Sequence, residues 1–125
     1  MSLGTADGRA DVRAMPRVDA ELVALCREWL VLNQETERAF THHAGRAGGP
    51  PDDVLAWLRR RAPRGRALLR AIAARPAASV VGLQAKAGVV RAQVALGPDG
   101  LPGADDAVAW SLAGDLLAIP ARPSR

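Results

Sequence analysis

The sequence predicts an all-α protein with a four-helix arrangement, a long helical hairpin with two shorter helices packed across it. Three observations carry this reading. Alanine, leucine and arginine dominate the 125 residues, and these are among the strongest helix formers. Valine, isoleucine and threonine do not gather into the alternating runs that a half-buried strand needs. From Ala20 to His43 no glycine or proline interrupts a stretch whose apolar residues recur at helical spacing.

The first helix is the clearest. Asp19 suits its N-cap, and Glu21 adds negative charge to the first turn. Leu22, Leu25, Cys26, Trp29, Leu32, Asn33, Thr36 and Phe40 form one stripe, with Arg27, Glu28, Glu35 and Arg38 on the other face. Gly45, Gly48, Gly49, Pro50 and Pro51 then make the connection. A second helix begins at Asp52 or Asp53, with Val54, Leu55, Trp57 and Leu58 as its first apolar cluster. Pro63 removes a backbone donor and crowds the preceding turn, so a kink or break is expected near Ala62. The pattern resumes with Leu68, Leu69 and Ile72, and ends at Arg75-Pro76.

A third helix opens at Ser79, a suitable N-cap, with Val80, Leu83, Ala87, Val90 and Val94 as its stripe. Gly82, Ala85, Ala87 and Gly88 would let another helix approach closely. Gly97 to Gly103 reads as a loop. The fourth helix starts at Asp105 or Asp106, whose charges suit a helix N-terminus, and stops before Pro120. Val108, Leu112, Leu116 and Ile119 share one side. Trp110 and Leu117 take the other. A helix apolar on both sides is sandwiched or shared with a second subunit, which makes Trp110 and Leu117 the expected oligomer surface.

Size and composition set the domain organisation. Residues 19–119 are expected to form a single helical domain, with 1–18 a disordered N-terminal segment and 120–125 a disordered tail. A core of this size is often completed by self-association. The single cysteine, Cys26, excludes an internal disulfide. No apolar stretch near the N-terminus reads as a signal peptide, and no run approaches the roughly 18 apolar residues that span a bilayer. A cytoplasmic bacterial protein with no membrane association is the expectation.

Charge is distributed unevenly. Residues 1–53 hold six arginines and nine acids, a net charge of −3; residues 54–98 hold eight arginines and Lys86 without one acid, +9; residues 99–125 hold two arginines and four aspartates, −2. Arg59, Arg60, Arg61, Arg64, Arg66, Arg70 and Arg75 all fall on the second helix. Arg59, Arg66 and Arg70 cluster on one side, while Arg60 and Arg64 lie one turn apart. Two readings stand. Such a helix can neutralise the phosphates of a nucleic acid, with Arg59, Arg60, Arg64, Arg66 and Arg70 as the contacts. It can equally be a solvated helix whose arginine stems cover apolar surface and whose charges pair with acids of the first and fourth helices. Helix-turn-helix spacing, a zinc knuckle and an aromatic stacking platform are all missing from the sequence.

Other candidates have a chemical and a structural reading. His42 and His43 diverge on a helix and do not make one metal site; as imidazolium they would suit a helix C-terminus. Cys26 on the apolar stripe reads as a small buried hydrophobe without an activating base. Asn33 and Thr36 occupy otherwise apolar positions, where they set register or oligomeric state or are simply partly exposed, the alternative being a small polar pocket beside Trp29 and Phe40. Asp115, on the apolar side of the fourth helix, is expected to pair with Lys86 or with an arginine of the second helix. The Gly97–Gly103 loop lacks the Gly-Lys-Ser/Thr ending of a phosphate loop. Neither a metal nor a cofactor is expected.

Three stretches, DAELVALC (Asp19 to Cys26), ARPAASVVGLQAKA (Ala74 to Ala87) and DDAVAWSLAGDLLAI (Asp105 to Ile119), resemble a group of short helical proteins of alphaproteobacterial genomes, some related to phage or mobile elements, with no assigned function. The resemblance implies a helical fold and carries over no catalytic residue. Gly45 to Pro51 and the arginine-rich second helix depart from the group's pattern.

The functional expectation is a non-enzymatic helical protein that self-associates, as a dimer by default, and acts by binding another macromolecule. A nucleic-acid-binding regulator using the helix 59–75 is the alternative. Paired carboxylates, a metal-ligand cluster or a triad at useful spacing, which an enzyme would need, are not found in the sequence.

Overall fold

The computed structural model describes residues 18–120. Four α-helices follow one another: α1 (Ala20–His42), α2 (Asp52–Ala74), α3 (Val80–Gln93) and α4 (Ala107–Ala118), the last preceded by a 3-10 turn at Ala104–Asp106. The all-α class and the four-helix arrangement agree with the sequence reading. Of the ends expected to be disordered, 1–18 and 120–125, residues 1–17 and 121–125 lie outside the described residues.

α1 is the centre. α2 lies along one side of it as the other arm of the hairpin, α3 lies against another side, and α4 packs on α3. The fourth helix is therefore the outermost element, not a second layer across the hairpin. The core joins Leu22, Cys26 and Trp29 of α1 to Leu68 and Ile72 of α2 and Val89 of α3. These buried residues come from the first half of α1 and the second half of α2. At 1.5 Å per residue, α3 is roughly 21 Å long against roughly 34 Å for each hairpin arm, so it covers only part of the hairpin. Toward the connecting loop the two arms have only each other to pack against.

The register of the hairpin is marked by an ionic ladder. Arg75 pairs with Glu21, Arg64 with Glu28, and Arg61 with Glu35. The three glutamates are seven residues apart, two turns of helix, so all lie on the same edge of α1. All three pairs are partly solvated, so each contributes under about 1 kcal/mol; their effect is on alignment more than on stability.

Pro63 does not break α2, which runs unbroken from Asp52 to Ala74. Arg61 and Arg64 are tied to α1 on either side of the proline, and Leu68 and Ile72 are buried immediately beyond it. Tertiary contacts on both sides hold the chain helical across one missing hydrogen bond.

α3 uses two faces. Gly82, Ala85 and Val89 turn to α1, whereas Gln84 and Arg91 turn to α4. The stripe expected from Val80, Leu83, Ala87, Val90 and Val94 is thus only partly realised, and Leu83 is exposed. Of its small residues Gly82 permits a close approach, to Asp19, whereas Gly88 faces open space. Gln84 Nε2 donates to the carbonyls of Leu116 (3.0 Å) and Ile119 (2.6 Å) and so satisfies the C-terminal end of α4. The intervening loop is closed by Gly97 N–H donating to Leu101 O at 2.8 Å, with Gly100 at φ 77° where a side chain would be strained.

Asp19 precedes α1 as expected, yet its carboxylate makes no capping bond to that helix. It is buried and reaches across to the start of α3 instead. There it accepts from Ala78 N–H at 3.1 Å and from the Ser79 hydroxyl. Ser79 in turn accepts from Gly82 N–H at 3.1 Å, as an N-cap should. Asp19 thus anchors the N-terminus of α1 to the N-terminus of α3, where its charge also suits the helix dipole.

Candidate functional site

The uncovered end of the hairpin carries a groove of about 410 Å³ between α1 and α2. Its apolar walls are Trp29, Leu32 and Phe40 of α1 and Leu55 and Leu58 of α2. Asn33 and Thr36, both half-exposed, line it as well, but the groove is mostly apolar. Thr36 Oγ1 donates to Leu32 O at 3.0 Å. The Asn33 amide makes no hydrogen bond to another described residue. Gly65 lines the groove without a side chain; a Cβ there would stand 3.4 Å from Leu32 Cδ2.

Two arginines give the groove its polarity. Arg59 is exposed at the rim and enters no ion pair among the described residues. Arg61 is pinned: its Nη2 meets Glu35, and its guanidinium lies over the Trp57 ring, 4.3 Å from the centroid. Its Nε is buried and donates to nothing among the described residues. An unmet buried donor carries a desolvation cost.

The structure divides the arginine run into two groups. Arg61, Arg64 and Arg75 face α1 and are consumed by Glu35, Glu28 and Glu21. This removes Arg64 from the free phosphate contacts expected for it, because the helical phase turns it toward the seam, where Nε and Nη2 both donate to Glu28 at 2.8 and 2.5 Å. Arg59, Arg60, Arg66 and Arg70 remain exposed and unpaired among the described residues. Arg59, Arg66 and Arg70 fall on the side of α2 turned away from Leu68, a stripe roughly 16 Å long. The heptad spacing of Glu21, Glu28 and Glu35 was the signal in the sequence that could have separated the two groups.

Trp110 is half-buried, with the Arg91 guanidinium stacked 3.5 Å from its ring centroid. It does not stand on a free surface, because the phase of α4 turns it toward α3; Leu117 is exposed. The widest apolar exposure of α4 lies instead at Val108 (79%) and Leu112 (57%). Asp115 lies beside them, exposed, and forms no ion pair with Lys86 or any other described residue. Lys86 sits on the opposite side of α3, where its charge favours the ionised forms of Asp19 and Cys26.

Cys26 is buried as expected, and that burial pushes its thiol above the ordinary value of 9.0. A protonated, enclosed thiol is a poor nucleophile. His43 is the C-cap of α1, and Arg46 Nη1 donates to its Nδ1 at 3.1 Å. Partial burial, His42 and Arg46 all lower its pKa below 6.5, so it serves less well as the cationic cap that its position suggested. Among the described residues no cluster of three or more His, Cys, Asp or Glu side chains could hold a metal ion. None of the described helices is long and apolar enough to cross a membrane. No family model, curated protein or solved structure matches the chain.

Proposed function

We propose that the protein is a non-enzymatic, cytoplasmic bacterial helical module that self-associates through the outer face of α4 and acts by binding another macromolecule. The observation that carries this is the exposure of Val108 and Leu112, at 79% and 57%, on a helix whose main partner is α3. Exposed large apolar residues grouped on one face mark an interaction surface. A second copy of the chain supplies the matching chemistry. Asp105, Asp106 and Asp115 flank this face without a base among the described residues, while unpaired arginines stand on α2 of the same chain. In a two-fold dimer each such contact is made twice.

Sedimentation equilibrium tests this directly. The wild-type protein is expected to dimerise in the micromolar range, and the double variant Val108→Asp, Leu112→Asp to remain monomeric and helical. A wild-type monomer at high micromolar concentration overturns the reading.

One further observation favours nucleic acid as the macromolecule bound. Arg59, Arg66 and Arg70 form an outward stripe on a segment without acids, a pattern suited to phosphate contacts independent of base sequence.

A further inference from the structure

We infer that the groove between α1 and α2 is a binding site for a small amphipathic monocarboxylate, an apolar tail with one carboxylate. The groove does not include the α4 face proposed for self-association, although Arg59 is also one of the unpaired α2 arginines named above. Its volume of about 410 Å³ falls at the lower end of small-molecule sites, roughly 300–1,000 Å³. The walls given by Trp29, Leu32, Leu55, Leu58 and Phe40 offer an apolar tail most of the groove's surface.

The charge at the groove selects the head. Arg61 shares its charge with Glu35 through Nη2, so Arg59 is the one lining cation that is unpaired among the described residues. One available positive charge balances a monoanion and leaves a dianion in excess. A carboxylate held by the Arg59 guanidinium would make a charge-assisted pair. The adjacent Arg61 stays on Glu35 and Trp57, with its buried Nε lacking an acceptor, and adds positive potential to the groove wall. The Asn33 amide, also without a partner among the described residues, can donate to the second carboxylate oxygen or to a bridging water. Arg59 and Asn33 thus place polar donors on the wall of a largely apolar groove.

The test uses the ¹⁵N-labelled full chain titrated with sodium octanoate and, separately, with octanol, which has the same tail without the charge. Octanoate is expected to give saturable shifts at the Trp29 indole N–H and the Gly65 amide, and to bind at least about tenfold more tightly than octanol. Arg59→Gln is expected to reduce octanoate affinity by about tenfold or more and to leave octanol unchanged. Ala62→Phe, at an exposed position on the groove wall, is expected to weaken both, with circular dichroism confirming that the variant is folded. Equal affinity for octanoate and octanol overturns the selection of a carboxylate. The absence of saturable shifts, or shifts confined to Val108 and Leu112 of α4, overturns the site itself.

Discussion

The Asp19 carboxylate accepts the Ser79 hydroxyl hydrogen, joining two residues that are 60 positions apart in the chain. This one contact couples the N-termini of α1 and α3, and it explains why residue 82 is a glycine. Gly82 lies one turn into α3, directly above the carboxylate. A Cβ built there would stand 2.6 Å from Asp19 Cγ and closer still to Oδ2. The cap, the carboxylate and the missing side chain form one unit.

Gly82→Ala is therefore expected to destabilise the protein by about 1–3 kcal/mol, the usual cost of overpacking. In an open helix the same change stabilises by about 1 kcal/mol, so the sign separates the two situations. Urea denaturation measures it. Asp19→Ala in the Gly82→Ala background should recover part of the loss, since the two residues act on one another. A stabilised Gly82→Ala protein would show that the carboxylate moves aside freely.

Acid sensitivity follows from the same carboxylate. The Ser79 hydroxyl and then the Ala78 N–H favour the ionised form, which holds the Asp19 pKa below its ordinary 3.8. Between the folded and unfolded values the unfolded chain binds the extra proton. The contribution is thus fully present above the unfolded value and is lost as pH falls through the folded one. Thermal melts from about pH 6 down to about pH 2 should show a steeper decline for wild type than for Asp19→Asn. Parallel curves for the two proteins would remove Asp19 from the acid transition.

The outward arginines of α2 can be weighed by salt. If Arg59, Arg66 and Arg70 each neutralise one phosphate, the slope of log K against log salt is about −2.7, and affinity for random duplex DNA falls roughly fortyfold between about 50 and 200 mM salt. Fluorescence anisotropy reads this directly. Replacing Arg66 and Arg70 with glutamate should abolish binding at low salt without unfolding α2, because neither residue pairs with α1. Replacing Arg75, which is tied to Glu21, should have a much smaller effect. Undiminished binding by the Arg66→Glu, Arg70→Glu protein would exclude the stripe as the contact.

By itself the sequence determined the helical class, the position of the four helices, the Ser79 cap and the burial of Cys26. These follow from propensity, periodicity and local capping, all of which act within a few residues. It also marked Asn33 and Thr36 as polar intrusions on an apolar stripe, but not the groove between α1 and α2 that they line. Tertiary structure alone decided which partner each side chain meets. Asp19 leaves its own helix for another, Arg61, Arg64 and Arg75 are separated from Arg59, Arg66 and Arg70, and Asp115 stays in solvent while Lys86 turns to α1. Pro63 remains helical because neighbours on α1 hold both sides of it. Trp110 is stacked beneath Arg91, and Val108 and Leu112 are left exposed, because α4 has one main partner, α3. The physical reason is common to all of these: helical periodicity sets the angle at which a residue leaves its own axis, whereas the rotation and overlap of one helix against another are set by packing between segments far apart in the chain.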